Sequence, residues 1–155
     1  MKPMTDKHFA ILRRHMVEVA SIHADLLRDE LGKAVLDERV LAAMRQVPRH
    51  RFVPAPLASL AYQDGPLPIG FDKTISQPFM VALMTDLLAP ELHEVVLEVG
   101  TGLGYQTAIL AELAAQVWSV EIVEEFAIDA QRRLRELRRD ARVAIRAGDG
   151  GVNAA

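Results

Sequence analysis

The sequence contains no cysteine among its 155 residues. It can form neither a disulfide nor a thiolate metal site, which excludes disulfide-built secreted scaffolds and zinc ribbons. Long hydrophobic runs are also missing, because the longest one, residues 79–84, is far below the roughly 20 residues that a membrane-spanning helix needs. Charged residues interrupt the first twenty positions, so no export signal is visible. We therefore expect a soluble, cytoplasmic protein with no membrane partner.

The chain also lacks a strong excess of either charge, with 18 basic and 21 acidic residues and a formal charge of −3. This balance argues against a general nucleic-acid binder, although seven arginines lie between Arg132 and Arg146. We interpret those arginines as the solvated face of a helix and predict no nucleic-acid partner. The five histidines are scattered, so we predict no metal site.

Hydrophobic spacing predicts two helices near the N-terminus. Apolar residues recur at helical intervals from Asp6 to about Leu31 and again from Asp37 to Val47, where Pro48 ends the pattern. The first of these helices is long and amphipathic, and the second is short.

Residues 48–78 hold six of the eight prolines, which predicts a loop-rich connector with room for one short strand. A further helix is predicted to end at about Leu88, with Ser76 as its N-cap and Pro78 in its first turn. Met80 and Met84, four residues apart on this helix, are interpreted as core packing.

The second half of the chain alternates β-branched runs with helical patterns, which predicts the order β-α-β-α-β. The segments are Val95–Val99, Tyr105–Ala114, Val117–Ile122, Val123–Arg139 and Arg142–Arg146. Such alternation is typical of a parallel sheet with crossover helices, as in a Rossmann-like α/β domain. We therefore expect an N-terminal helical and loop-rich segment over residues 1–78 and a Rossmann-like domain over residues 79–155, within one compact unit.

A glycine turn links the first predicted strand of this domain to the following helix. Glycines at 100, 102 and 104 let the backbone turn tightly and expose its amides to a ligand at a helix N-terminus. A dinucleotide-binding fingerprint would need its last glycine where Tyr105 stands, which weakens the interpretation as a pyrophosphate site. The spacing, with Glu98 before it, suits a nucleoside that carries an amino acid, whose ammonium group Glu98 could face.

Acidic residues follow the next two strands at the same edge of the predicted sheet. Glu121 lies 21 positions after Gly100, where a carboxylate can bind both hydroxyls of a ribose. Asp149, followed by Gly150, could accept a hydrogen bond from an adenine amino group. Each feature alone could be an ordinary turn or strand end. Together, on consecutive strand–helix units, they predict a site for an adenosyl ligand.

Five further segments carry a more specific resemblance, and the Thr-Ile-Ser-Gln-Pro element is the most specific of them. They are Arg39–Met44, Val47–Pro54, Ala61–Tyr62, Leu67–Gly70 and Thr74–Pro78. With the glycine turn and its acidic partners, the sequence resembles the class I S-adenosylmethionine-dependent methyltransferases. Within that class it resembles the protein-L-isoaspartate O-methyltransferase family.

The resemblance implies a cofactor, a reaction and a set of site residues. The cofactor is S-adenosyl-L-methionine, and the reaction is methyl transfer to the α-carboxylate of L-isoaspartyl residues in damaged proteins or peptides, which begins their repair. Ser76 matches the active-site serine of the family. The matching cofactor-binding residues are Glu98, Gly100, Thr101, Gly102, Gly104, Glu121, Asp149 and Gly150.

Two other functions remain open at this point. The chain could be a methyltransferase of another substrate class, such as nucleic acid, or a catalytically weak or silent remnant that binds the cofactor. Family members continue for several more strands, so we expect a C-terminally incomplete sheet whose first strand is an unpaired hydrophobic edge. We therefore also expect a fragment, or a homo-oligomer or domain swap that completes the sheet.

Overall fold

The computed structural model describes residues 3–151, which form helices, two short sheets and two 3-10 turns. The helices are α1 (Asp6–Leu26), α2 (Arg28–Leu31), α3 (Glu38–Gln46), α4 (Pro78–Leu88), α5 (Tyr105–Leu113) and α6 (Glu124–Glu136). The strands are β1 (Leu67–Gly70), β2 (Lys73–Ile75), β3 (Val95–Val99), β4 (Gln116–Glu121) and β5 (Val143–Ala147). The 3-10 turns span Arg49–Phe52 and Ala55–Leu60.

Packing divides the chain into two compact units. The first comprises the chain up to Leu67 together with Ser76–Ala89, and the second comprises Pro68–Ile75 together with the chain from Pro90 onward. The domain boundary between residues 78 and 79 stays a prediction, because packing units need not fold separately.

In the first unit, α1 packs on α3 and α4. The inner face of α1 buries residues at helical spacing, namely Met16, Val17, Ala20 and Ala24. The prediction of one helix to Leu31 is wrong in one respect: the helix breaks at Leu27, where ψ is 16° instead of about −42°. The predicted short helix is confirmed as α3, and Asp37 caps it by accepting a hydrogen bond from the backbone of Arg39 at 2.8 Å.

The connector contains more regular structure than the expected single short strand. Besides the two 3-10 turns, β1 and β2 form a two-stranded sheet joined by Phe71 and Asp72. Both joining residues have positive φ, 51° and 55°, as in the type I′ turns that suit tight hairpins.

Helix α4 corrects two predictions. Its N-cap is Gln77 and not Ser76, because Pro78 occupies the first helical position and holds the residue before it in an extended conformation. Met80 and Met84 are 39% and 46% exposed, so they do not pack in the core. Their spacing indicates a shared helix face, and α4 turns the opposite face, with Val81 and Thr85, to the interior.

In the second unit, the predicted β-α-β-α-β order is confirmed. The three strands are parallel and lie in the order β3-β4-β5, with Glu98 opposite Ser119 and Glu121 opposite Ala147. Val96 and Val117 from the sheet pack with Leu110 and Ala114 from the α5 segment in a hydrophobic cluster. The fold is therefore α/β, with crossover helices that place three strand ends at one edge.

Strand β3 lies at the edge of the three-stranded sheet formed by the described residues. Its alternate side chains, Val95, Leu97 and Val99, are exposed, and so is Trp118, which lies opposite Leu97 on β4. The expected edge position of this hydrophobic strand is confirmed, and the exposed side chains share one face of the sheet. No helix in residues 3–151 has both the length and the hydropathy to cross a membrane.

A buried carboxylate joins α4 to the segment that precedes α3. The Asp86 side chain is 1% exposed, and its oxygens accept hydrogen bonds from the Lys33 ammonium at 2.7 Å and the Asp37 backbone N–H at 2.6 Å. Both bonds connect residues about fifty positions apart in the sequence, so they stabilise the first unit and not a local turn.

Replacing Asp86 should therefore destabilise the protein strongly. We expect Asp86→Ala to lower the free energy of unfolding by about 2–4 kcal/mol, because it leaves a part-buried amide and an ammonium without their acceptor. Urea unfolding measures the change. The control is Asp25→Ala, which removes an exposed partner 3.6 Å from Arg28 and should change stability by under about 1 kcal/mol. Equal effects of the two substitutions would contradict the account.

Candidate functional site

The glycine turn after β3 is fixed to the neighbouring strand by backbone hydrogen bonds. Gly100 N–H donates to the Val120 carbonyl at 2.8 Å. Gly104 has φ of +98°, which strains any other residue, and a Cβ there would also lie only 3.3 Å from the Cβ of Ala130 on α6. At Gly100, apart from its neighbours in the chain, no atom of residues 3–151 lies within 4 Å of the place of a Cβ, so this part of the turn faces open space.

Glu121, the last residue of β4, holds the turn from the other side. Its side chain is buried, and its two oxygens accept from Gly102 N–H at 2.7 Å and from Val123 N–H at 2.9 Å. Its carbonyl accepts from Gly148 N–H at 2.8 Å. One residue therefore links the turn after β3, the start of α6 and the turn after β5.

The turn after β5 packs against the end of β3. A Cβ at Gly150 would lie 2.6 Å from Val99 Cγ1, so no side chain fits there without movement. The Asp149 side chain is exposed, and its Oδ1 accepts from Gly151 N–H at 3.0 Å. The structure therefore brings the glycine turn, Glu121 and the Asp149–Gly150 pair to one edge of the sheet, as expected for strand ends of an open α/β sheet.

Glu98 lies in the interior beneath the glycine turn. Its Oε1 accepts from the hydroxyls of Thr107 and Ser119, each at 2.5 Å, while its Oε2 is buried and has no hydrogen-bond partner among the described residues. The hydroxyl groups of Thr101 and Ser119 share a hydrogen bond, with Oγ1 of the threonine 2.5 Å from Oγ of the serine. Burial raises the pKa of Glu98 to about 7; the two hydroxyl bonds oppose this rise, and the charge of Glu121 adds to it. The predicted contact of Glu98 with a ligand ammonium stays a prediction.

Sequence reasoning missed the two hydroxyl partners of Glu98. A signal was present, since Ser119 is a polar residue inside an apolar strand and Thr107 lies on the helix that follows the turn. Only the strand register, which places Ser119 directly opposite Glu98, shows that they meet.

Ser76 belongs to the first unit, directly before the N-cap of α4. The side chain is exposed, and no hydrogen bond found in residues 3–151 involves its hydroxyl. Its carbonyl accepts from Arg49 Nη2 at 2.8 Å. Because Gln77 is the N-cap, the Ser76 hydroxyl is not engaged in capping and is available to a ligand at a helix N-terminus.

His50, which lies in the proline-rich connector, is half-buried in an aromatic cluster. Its ring stacks on Phe9 with centroids 3.9 Å apart, and its Nδ1 lies 2.8 Å from the Tyr62 hydroxyl. Desolvation lowers the pKa of His50 to about 4, with a further contribution from the charge of Arg13. This histidine is therefore a neutral structural residue of the first unit near neutral pH.

The raised pKa of Glu98 predicts a pH-dependent stability. The folded-state pKa of Glu98, about 7, lies above the ordinary value of 4.5 for a glutamate, so the folded protein binds the additional proton. The resulting stabilisation is present below the unfolded pKa and is lost as pH rises through 7. We expect Glu98→Gln, which cannot ionise, to exceed the unfolding free energy of the parent by under about 1 kcal/mol at pH 5 and by up to about 3 kcal/mol at pH 8.

Urea unfolding of both proteins between pH 5 and 8 makes this comparison. The exposed substitution Glu125→Gln is the control, and it should follow the parent throughout. The account fails if Glu98→Gln and the parent keep the same stability difference at pH 5 and pH 8.

Comparison with known proteins gives a consistent result. The family model for protein-L-isoaspartate(D-aspartate) O-methyltransferase matches residues 21–154. The chain is 56% identical, over 131 residues, to protein-L-isoaspartate O-methyltransferase 1 of Polaromonas sp. (strain JS666 / ATCC BAA-500), covering 84% of this chain and 56% of the relative. It is 48% identical, over 145 residues, to protein-L-isoaspartate O-methyltransferase 2 of Syntrophobacter fumaroxidans, covering 94% of this chain and 58% of the relative.

Solved structures agree with the sequence relatives. A protein-L-isoaspartate O-methyltransferase superposes with a TM-score of 0.66 at 25% identity, over 84% of this chain and 42% of that one. A Plasmodium falciparum protein proposed to have the same activity, in complex with S-adenosyl-L-homocysteine, gives 0.70 at 22% identity, over 92% of this chain and 66% of that one, and supports the fold. The chain spans a little over half the length of the curated relatives it matches. It belongs to the protein-L-isoaspartate(D-aspartate) O-methyltransferase family.

Proposed function

We propose that this chain binds S-adenosyl-L-methionine at the glycine turn and takes part in methyl transfer to the α-carboxylate of L-isoaspartyl residues in damaged proteins or peptides. The observation that carries the proposal is the arrangement of the glycine turn, Glu121 and the Asp149–Gly150 pair at one sheet edge, in a member of this family. Damaged proteins or peptides that contain isoaspartate are the proposed partners.

The residues at the sheet edge fit an adenosyl ligand with an amino-acid tail. Each Glu121 oxygen accepts one backbone N–H and keeps a lone pair that a ribose hydroxyl can use. The open space at Gly100 admits a ligand against bare backbone, and Asp149 offers an exposed acceptor to an adenine amino group. Thr101, Gly102 and Gly104 give the turn its shape, while Glu98 supports it from below through hydroxyl groups.

The chemistry needs positioning more than proton transfer. When bound, the cofactor supplies an electrophilic methyl group on a sulfonium. The substrate carboxylate is ionised near pH 7 and is itself the nucleophile, so no strong general base is required. Ser76 can donate its hydroxyl hydrogen to that carboxylate, and the N-terminus of α4 favours an anion. We therefore assign Ser76 the role of the residue that orients the substrate.

Cofactor titration in a calorimeter, followed by methyl transfer from labelled cofactor to an isoaspartyl peptide, tests this assignment. Ser76→Ala should keep the cofactor affinity and lose about 10- to 150-fold in kcat/KM, the value of one hydrogen bond to a charged group. The control is Ser21→Ala, which removes a hydroxyl bonded to a carbonyl of its own helix and should leave both quantities unchanged. Full activity of Ser76→Ala would contradict the role of the serine.

The same assay separates the alternative functions. Cofactor binding without transfer to any peptide would indicate a silent cofactor-binding remnant. Transfer to an aspartyl peptide or to RNA, but not to the isoaspartyl peptide, would indicate another substrate class.

The cytoplasmic location stays a prediction.

We further propose that a second copy of the chain covers the open edge of β3. Antiparallel pairing of two β3 strands about Leu97 places Val95 of each copy opposite Val99 of the other, so the exposed edge is self-complementary. Such a pair would join the two sheets through backbone hydrogen bonds.

Sedimentation velocity at increasing protein concentration tests this association. We expect the parent chain to form a dimer. The substitution Leu97→Lys should dissociate it, because it places a charge at the apolar centre of the contact. Ile128→Lys, a charge placed on an exposed apolar position of α6, is the control and should leave the dimer intact. A parent chain that stays monomeric at all concentrations would disprove the proposal.

A further inference from the structure

Arg49 is a completely buried arginine, with 0% of its surface exposed. It begins the first 3-10 turn, inside the Val47–Pro54 segment, and the proposed function gives it no role. Burying a guanidinium group is costly unless its N–H groups find acceptors. The partners of this side chain therefore show what the charge is used for.

The Arg49 guanidinium donates to two backbone carbonyls from different parts of the first unit. Its Nε donates to the Ala61 carbonyl at 2.6 Å, and its Nη2 donates to the Ser76 carbonyl at 2.8 Å. Ala61 directly follows the second 3-10 turn, and Ser76 directly precedes the N-cap of α4. The planar fork of an arginine can hold two such acceptors at fixed angles, whereas lysine offers a single nitrogen.

The bond to Ser76 bears on its hydroxyl. That hydroxyl makes no hydrogen bond of its own among residues 3–151, so only the backbone and its rotamer preference set its direction. The peptide that joins Ser76 to Gln77 carries the carbonyl that Arg49 holds. Holding this peptide places the Ser76 Cα and restricts its Cα–Cβ direction before any substrate arrives.

We propose that Arg49 is a positioning residue that acts through Ser76, by holding the serine peptide so that its hydroxyl meets the substrate carboxylate. This inference rests on the proposed function, because a positioned serine matters only if Ser76 binds substrate. The competing account is that Arg49 only stabilises the fold of the connector. The two accounts differ in what happens locally at Ser76 and in how substitutions at the two residues combine.

Three variants separate the accounts. Arg49→Lys keeps the charge but loses the fork, Arg49→Gln removes both, and Arg51→Gln removes an exposed charge from the same 3-10 turn as a control. Nitrogen-15 relaxation of the 155-residue chain reports backbone order at Ser76 and Gln77. We expect order parameters near 0.85 in the parent and in Arg51→Gln, and below about 0.6 in Arg49→Lys. Arg49→Lys carries the test if Arg49→Gln fails to fold.

Methyl-transfer kinetics with an isoaspartyl peptide provide the second readout. We expect Arg49→Lys to lower kcat/KM about tenfold when Ser76 is present and to have no further effect in Ser76→Ala, because residues that act as a unit are not additive. Cofactor affinity should stay unchanged. An equal loss with serine and with alanine would overturn the proposal and support a purely structural role.

Failure of the proposed function gives a different pattern. A parent chain that binds no isoaspartyl peptide and transfers no methyl group refutes the role of Ser76, whatever the Arg49 variants do. The relaxation data then decide the remaining question. Unchanged order parameters in Arg49→Lys overturn the claim that Arg49 holds the serine peptide, and a local loss of order at Ser76 and Gln77 supports that claim alone, without its consequence for substrate.

Discussion

The Glu121 carboxylate is the contact on which the sheet edge depends. The carboxylate is buried, and its oxygens accept hydrogen bonds from the backbone N–H groups of Gly102 and Val123. The backbone carbonyl of Glu121 accepts a further hydrogen bond from Gly148 N–H. Because these donors belong to three different turns, one side chain and its own peptide set the spacing of the whole edge. The contact also explains how a binding site can be preformed. The carboxylate that is proposed to accept hydrogen bonds from ribose hydroxyls is already fixed in position by the backbone around it.

The first unit uses buried charge in a similar way. Asp86 accepts hydrogen bonds from an ammonium group and a backbone N–H of the segment before α3. Arg49 donates hydrogen bonds to the backbone carbonyls of Ala61 and Ser76. Most bonds at these two sites go to the backbone, so the charges fix the path of the chain through a region with little regular structure. A proline-rich connector has few ladder hydrogen bonds to define it, and a buried ion with several fixed partners can replace them.

The sequence alone predicted the parts of the structure that follow from local pattern. The alternation of β-branched and helical segments predicted the parallel sheet, and the spacing from Gly100 to Glu121 predicted which side chains meet at its edge. The contacts of Glu98 could not be predicted, because they depend on strand register and on the rotation of α5. The burial of Arg49 could not be predicted either, since an arginine in a proline-rich segment is usually exposed. Met80 and Met84 show a third limit: helical spacing identifies a face but not which face is covered.

Calorimetric titration with S-adenosyl-L-homocysteine, comparing Glu121→Gln with Glu125→Gln, tests the central claim most directly. An amide at residue 121 keeps the size of the side chain but presents an NH2 group to one of its two backbone donors and loses the charge that the ribose hydroxyls would meet. The account predicts micromolar binding by the parent and by Glu125→Gln, and binding at least about tenfold weaker by Glu121→Gln. Equal affinity of all three proteins would contradict it, because the adenosyl ligand would then bind without the carboxylate that organises this edge.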